Sequence, residues 1–164
     1  MDSLRQYLRL CWLKGDLAEM PQSLPLFRNA IIFFFVTGIL IQANISDPVE
    51  AFFETCIQTI LNLVFIALLL CLKKSFHLYV RTATAFLISA DFIYVFGIPV
   101  MLWFTLVGDE VVIYLFGLLL LWWLFIITYI IRQALSYGFF ASTMLAFFYI
   151  IIVYLGTFAM LVVI

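Results

Sequence analysis

Of 164 residues, 68% are hydrophobic, 19% aromatic and 10% charged, and the mean hydropathy is +1.26. Soluble domains carry about 25% charged residues, so a water-soluble globule is excluded, and a balance of 8 basic to 9 acidic residues, net −1, offers no basic field for nucleic acid. One His and 3 Cys are too few for a metal centre built from protein ligands, and no cofactor is implied.

Residues 1–25 read as a cytoplasmic amphipathic helix and linker. Leu4, Tyr7, Leu8, Cys11 and Trp12 recur at helical spacing, while Arg5, Arg9 and Lys14 take the remaining positions. Asp2 or Ser3 is placed to cap this helix and Gly15 to end it. A helix of this kind lies in the interface with its apolar side in lipid and its cations at the phosphates. Arg5, Arg9, Trp12 and Lys14 are therefore the expected anchor, and a docking face for a partner is the other use of the same pattern. No apolar run and small-residue cleavage site follow the first cations, so no signal peptide is expected. Asp16 to Pro25, with two prolines, is expected to be an ordered linker.

Residues 26–164 hold five apolar runs: Leu26 to Ala43, Val49 to Leu72, Tyr79 to Val107, Val111 to Ile131 and Phe139 to Ile164. At about 1.5 Å per residue each is long enough to cross a hydrocarbon core of about 30 Å, the longer ones tilted or kinked. Backbone groups in lipid must be satisfied within their own segment, which makes the spans helical. The expected fold is all-α, a polytopic transmembrane bundle of five helices plus a short N-terminal interfacial amphipathic helix.

The basic residues orient it. Arg5, Arg9, Lys14 and Arg28 precede or open the first span, Lys73, Lys74 and Arg81 lie between the second and third, and Arg132 lies between the fourth and fifth. The opposite loops carry Asp47, Asp109 and Glu110 but no Lys or Arg. The positive-inside rule then predicts a cytoplasmic N-terminus and a C-terminus on the opposite face. A four-span alternative, with the third run re-entrant at Pro99, would move Arg132 to the wrong side.

The second span carries Glu54, Gln58 and Asn62 at i, i+4 and i+8, flanked by Thr55 and Thr59. Such a face turns toward other helices or a cavity. Asp91 lies near mid-depth in the third span, at a depth similar to Asn62, so a neutral Asp91 donating to Asn62 is the expected pair. A charged carboxylate at the bilayer centre costs about 2.5–3.5 kcal/mol on insertion scales. Glu54, Gln58, Asn62 and Asp91 thus form an intramembrane polar cluster, read either as glue between helices or as a proton or solute path. Pro99, after Gly97, predicts a kink in the third span. Gly117, Gly138 and Gly156 are expected points of close helix approach, and at least one of Trp122 and Trp123 is expected to pack on protein. No glycine-rich phosphate loop, His pair or nucleophile elbow occurs, so no enzyme is expected.

Leu8-Arg9-Leu10-Cys11-Trp12-Leu13-Lys14-Gly15 followed by Met20-Pro21-Gln22-Ser23, together with Trp123-Leu124 and Ile131-Arg132-Gln133-Ala134-Leu135, looks like small uncharacterised inner-membrane proteins of proteobacteria. In its layout of five spans the chain resembles the YIP-type membrane protein superfamily. The resemblance implies a bacterial inner membrane and a helper or scaffold role, with no catalytic residues. The expected function is that of a non-enzymatic accessory subunit whose partners are membrane lipids and other integral membrane proteins, or itself as an oligomer. A small channel or proton-coupled carrier using the polar face of the second and third spans is the alternative. A lipid-handling protein is a third.

Overall fold

The computed structural model describes residues 2–108 and 110–163. Asp109 of the acidic turn and Ile164 of the last expected span lie outside the described residues, as do the side chains of the two expected cap residues, Asp2 and Ser3. Helix accounts for 86% of the structure, and no strand occurs among the described residues. The helices are α1 (Asp2–Cys11), α2 (Leu24–Gln42), α3 (Pro48–Leu72), α4 (Tyr79–Val107), α5 (Val111–Leu135) and α6 (Phe139–Val163), with 3-10 turns at Leu17–Glu19 and Phe76–Leu78. Helices α2 to α6 are long and apolar enough to cross a membrane. The chain is an all-α, five-span bundle with a short amphipathic helix in front.

Local chemistry sets the boundaries. Ser23 Oγ accepts from Leu26 N and Pro25 occupies the first turn of α2, a position where the missing N–H is no loss. Pro48 opens α3 in the same way. Helix α4 runs unbroken through Pro99 and stops at Gly108, whose φ of 67° is the left-handed conformation that glycine supplies without a Cβ clash. An unbroken α4 leaves no place for the re-entrant, four-span arrangement. Helix α5 continues four residues past the expected end at Ile131, because Arg132-Gln133-Ala134-Leu135 holds no breaker before Ser136. Arg132 therefore sits on a helix end and not in a loop.

The five long helices close a ring in the order α2, α4, α5, α6, α3 and back to α2, with α4 also touching α3 and α1. Half of the apolar window of α4 is buried, 50% against 22% in α2 and in α6. The reason is its run of small residues. Thr82, Ala83, Thr84, Ala85, Ser89 and Ala90 are all buried, and small side chains let neighbouring backbones approach where no hydrophobic effect drives helices together in lipid. Close approach elsewhere falls at glycines. A Cβ on Gly38 of α2 would lie 2.7 Å from Thr55 Cγ2 of α3, and one on Gly156 of α6 would lie 3.0 Å from Leu61 Cδ1. Gly117 and Gly138, expected to serve the same purpose, face open space. Gly38, which was not anticipated, makes the tightest crossing.

One end of the bundle gathers the segments that carry the basic residues. Lys73 Nζ lies 4.9 Å from the centre of the Tyr137 ring, joining the α3 end to the α5–α6 turn. Gln22 Nε2 donates to the His77 carbonyl at 3.0 Å, and Gln133 Nε2 donates to the Gly15 carbonyl at 2.9 Å.

Helix α1 differs from its expected placement. Its apolar side is covered by the chain's own α4 and α5 and not by lipid: Tyr7, Leu10 and Cys11 are buried, whereas Leu4 of the expected apolar face is exposed. Trp122 Nε1 donates to the Cys11 carbonyl at 3.1 Å, and Tyr7 OH donates to the Pro21 carbonyl at 2.9 Å. Trp12 packs edge-on against Phe92 and Trp122. Phe92 lies eleven positions along α4 from Arg81, about 16 Å at helical rise, so α1 slants along the flank of the bundle toward its middle. Arg5, Arg9, Trp12 and Lys14, the expected anchor residues, all remain exposed on its outer side. They share a surface, but what holds α1 is protein packing and the hydrogen bonds of its return turn.

Candidate functional site

The polar face of α3 divides into separate pairs. Asn62 does not meet Asp91. Its Oδ1 accepts from the hydroxyl of Tyr149 on α6, while Asp91 Oδ1 accepts from Thr37 Oγ1 on α2 at 3.1 Å. The expected Asn62–Asp91 bond is corrected by the ring order: α3 packs mainly between α2 and α6, and α4 between α2 and α5. Similar depth on consecutive helices is not contact. Thr55 and Thr59 donate to carbonyls one turn earlier in α3, at 2.8 and 2.7 Å, a local solution open to any helical Thr. Gln58 is buried and makes no side-chain hydrogen bond among the described residues. No continuous chain of hydrogen bonds joins Glu54, Gln58, Asn62 and Asp91.

Glu54 belongs to a different feature. In the half of the bundle away from the basic end, α2 to α6 splay around a pocket of about 790 Å³. Its floor is Ala90 and Ile93 of α4, Trp123 of α5 and Ile150 of α6, and its rim is Gln42 and Ser46 at the end of α2 with Glu50 at the start of α3. Glu54 lies one turn deeper than Glu50 on the same helix face, and Tyr94 and Tyr154 complete the wall from α4 and α6. The volume falls in the range of about 300–1,000 Å³ typical of small-molecule sites, with the mostly apolar lining and few convergent polar groups such sites have.

The local sequence explains the opening. Gly97 contributes no side chain, and a Cβ there would meet nothing within 4 Å. Packing that is dense around Ala83 to Ala90 thus gives way one to two turns later to a gap. Trp123 is 4% exposed and its indole N–H has no acceptor among the described residues; its ring packs against Tyr149 and Tyr154. Glu54 makes no hydrogen bond and no ion pair among the described residues. Every Lys and Arg of the chain lies outside the lining of the pocket.

Of the four residues expected to form one polar cluster, the structure places Glu54 in the pocket wall and the other three in the helix packing. Tyr94, Trp123, Tyr149, Tyr154 and Thr37 were not singled out as a site. A signal for the tyrosines exists: a mid-span Tyr has a hydroxyl to satisfy and no water to do it. Nothing in the linear order shows which helix supplies the partner. Among the described residues no group of three or more His, Cys, Asp or Glu is placed to hold a metal ion. Comparison of the chain with family models, with curated proteins and with solved structures finds no match.

Proposed function

We propose that this chain is a non-enzymatic accessory protein of a bacterial inner membrane, with its basic end cytoplasmic, and that it works by holding an amphiphilic guest in the pocket between α2 and α6. The observation that carries this reading is the pocket itself: about 790 Å³ of mostly apolar space with a polar rim, in a chain that has little else besides spans. The orientation rests on the positive-inside rule, since the segments with Lys and Arg share one end. The accessory role rests on the long apolar faces of α2, α5 and α6, which serve lipid and neighbouring helices alike. It also agrees with the resemblance to small proteobacterial inner-membrane proteins. A proton-coupled carrier is less well served, because Asn62–Tyr149 and Thr37–Asp91 close on themselves in separate pairs.

Gly97→Phe tests the reading, since the new ring enters open space without a packing clash. Native mass spectrometry of the purified chain is expected to show a retained amphiphile on the parent protein and its loss from Gly97→Phe, with folding intact. Equal retention by both proteins would refute the pocket as the binding place. For the accessory role, purification in mild detergent is expected to bring down a stoichiometric membrane protein. A lone oligomer that moves ions in liposomes would establish the carrier instead.

A further inference from the structure

The pocket's chemistry selects among amphiphiles. Its wall holds two carboxylates, Glu50 and Glu54, and its lining holds no Lys, Arg or His. A fatty acid or other anionic guest meets repulsion there, and a zwitterionic lipid brings a phosphate for which no cation is present. A neutral guest would cover Glu54 with hydrocarbon and leave it without a counter-charge, a costly arrangement for a carboxylate. A guest with a positive charge resolves this. The wall across from Glu54 is aromatic, formed by Tyr94 and Tyr154 with Trp123 beneath them, and the faces of such rings attract cations by about 0.5–2 kcal/mol, more as water is excluded.

Resting on the reading of the pocket as a binding site, we propose that its ligand class is the lipophilic monocation: an amine or quaternary centre on an apolar body. Glu54 serves as the buried counter-ion, Glu50 as the carboxylate met at the rim, and Tyr94 and Tyr154 as the aromatic wall. Glu54, one turn inside the mouth, marks how far the charge travels, and the apolar body occupies the floor at Ala90 and Ile93. The carboxylate pair on α3 acts through i, i+4 spacing, which sets both groups on one face of the helix.

The test uses the full chain in nanodiscs of neutral phosphatidylcholine with two ions of nearly the same shape, tetraphenylphosphonium and tetraphenylborate, and a neutral long-chain alcohol. Tetraphenylphosphonium is expected to bind saturably at one site per chain, at least tenfold more tightly than tetraphenylborate. Glu54→Gln, which keeps size and hydrogen-bonding capacity, is expected to weaken it at least tenfold, Glu50→Gln less, and Gly97→Phe to abolish it. Equal binding of the two ions, or an unchanged affinity in Glu54→Gln, overturns the proposal. Binding of the alcohol alone, lost in Gly97→Phe, overturns the cation preference while leaving the pocket's binding role standing. No saturable binding of any of the three overturns both.

Discussion

At the scale of single residues, the buried polar groups of the spans are held by partners on non-consecutive helices. The Asn62–Tyr149 pair links α3 to α6, and Phe65, Phe86 and Trp123 surround the Tyr149 ring. Tyr149→Phe keeps that packing and removes only the donor. It is expected to destabilise the bundle by about 1–3 kcal/mol, the cost of leaving a buried acceptor unpaired. Asn62→Leu added to it is expected to restore part of the loss, because both partners are then apolar. Unfolding in mixed detergent micelles measures this, and strictly additive losses would deny the pair its coupling. The existence of a polar face at Glu54, Gln58 and Asn62 was legible in the sequence from its four-residue spacing. Its partners were not, since Tyr149 and Thr37 are distant in sequence and carry no spacing signal relative to α3. Gln58 has no hydrogen bond among the described residues, and we have no physical account of it.

At the scale of elements, α1 shows how an amphipathic pattern underdetermines what covers it. Apolar residues at helical spacing fit a lipid surface and a protein groove equally well, and the structure puts Tyr7, Leu10 and Cys11 against α4 and α5. Burial raises the Tyr7 hydroxyl from its usual 10.0 to about 12, only partly countered by Arg81, and raises the Cys11 thiol from 9.0 to about 12. Docked α1 therefore retains protons that a released α1 gives up. Its docking is expected to be constant below about pH 9 and to weaken as pH rises from there to about 12. Near-UV circular dichroism of the Trp12–Trp122 pair, whose rings sit 5.4 Å apart, reports the release. Tyr7→Phe with Cys11→Ala removes both groups and is expected to shift the transition to higher pH. A transition unmoved by the double substitution would place its cause elsewhere.

At the scale of the whole molecule, threading is set by charge and the ring order by side-chain shape. Cys71 is exposed at the basic end, two positions before Lys73, whereas Cys11 is fully buried. With Cys56 replaced by Ser, a membrane-impermeant maleimide is expected to label Cys71 in inverted vesicles and not in right-side-out ones. Labelling from the opposite side would reverse the orientation of the chain. The five spans, their approximate limits and the end that gathers the cations were determined by the sequence alone, because transfer free energy is summed locally along the chain. Which helices touch was decided only by tertiary structure. Lipid and protein interior are equally apolar, so hydropathy is blind to the choice, and the deciding terms are the fit of Gly38 to Thr55, of small residues on α4 to their neighbours, and the gap at Gly97 that opens a pocket beside Glu54.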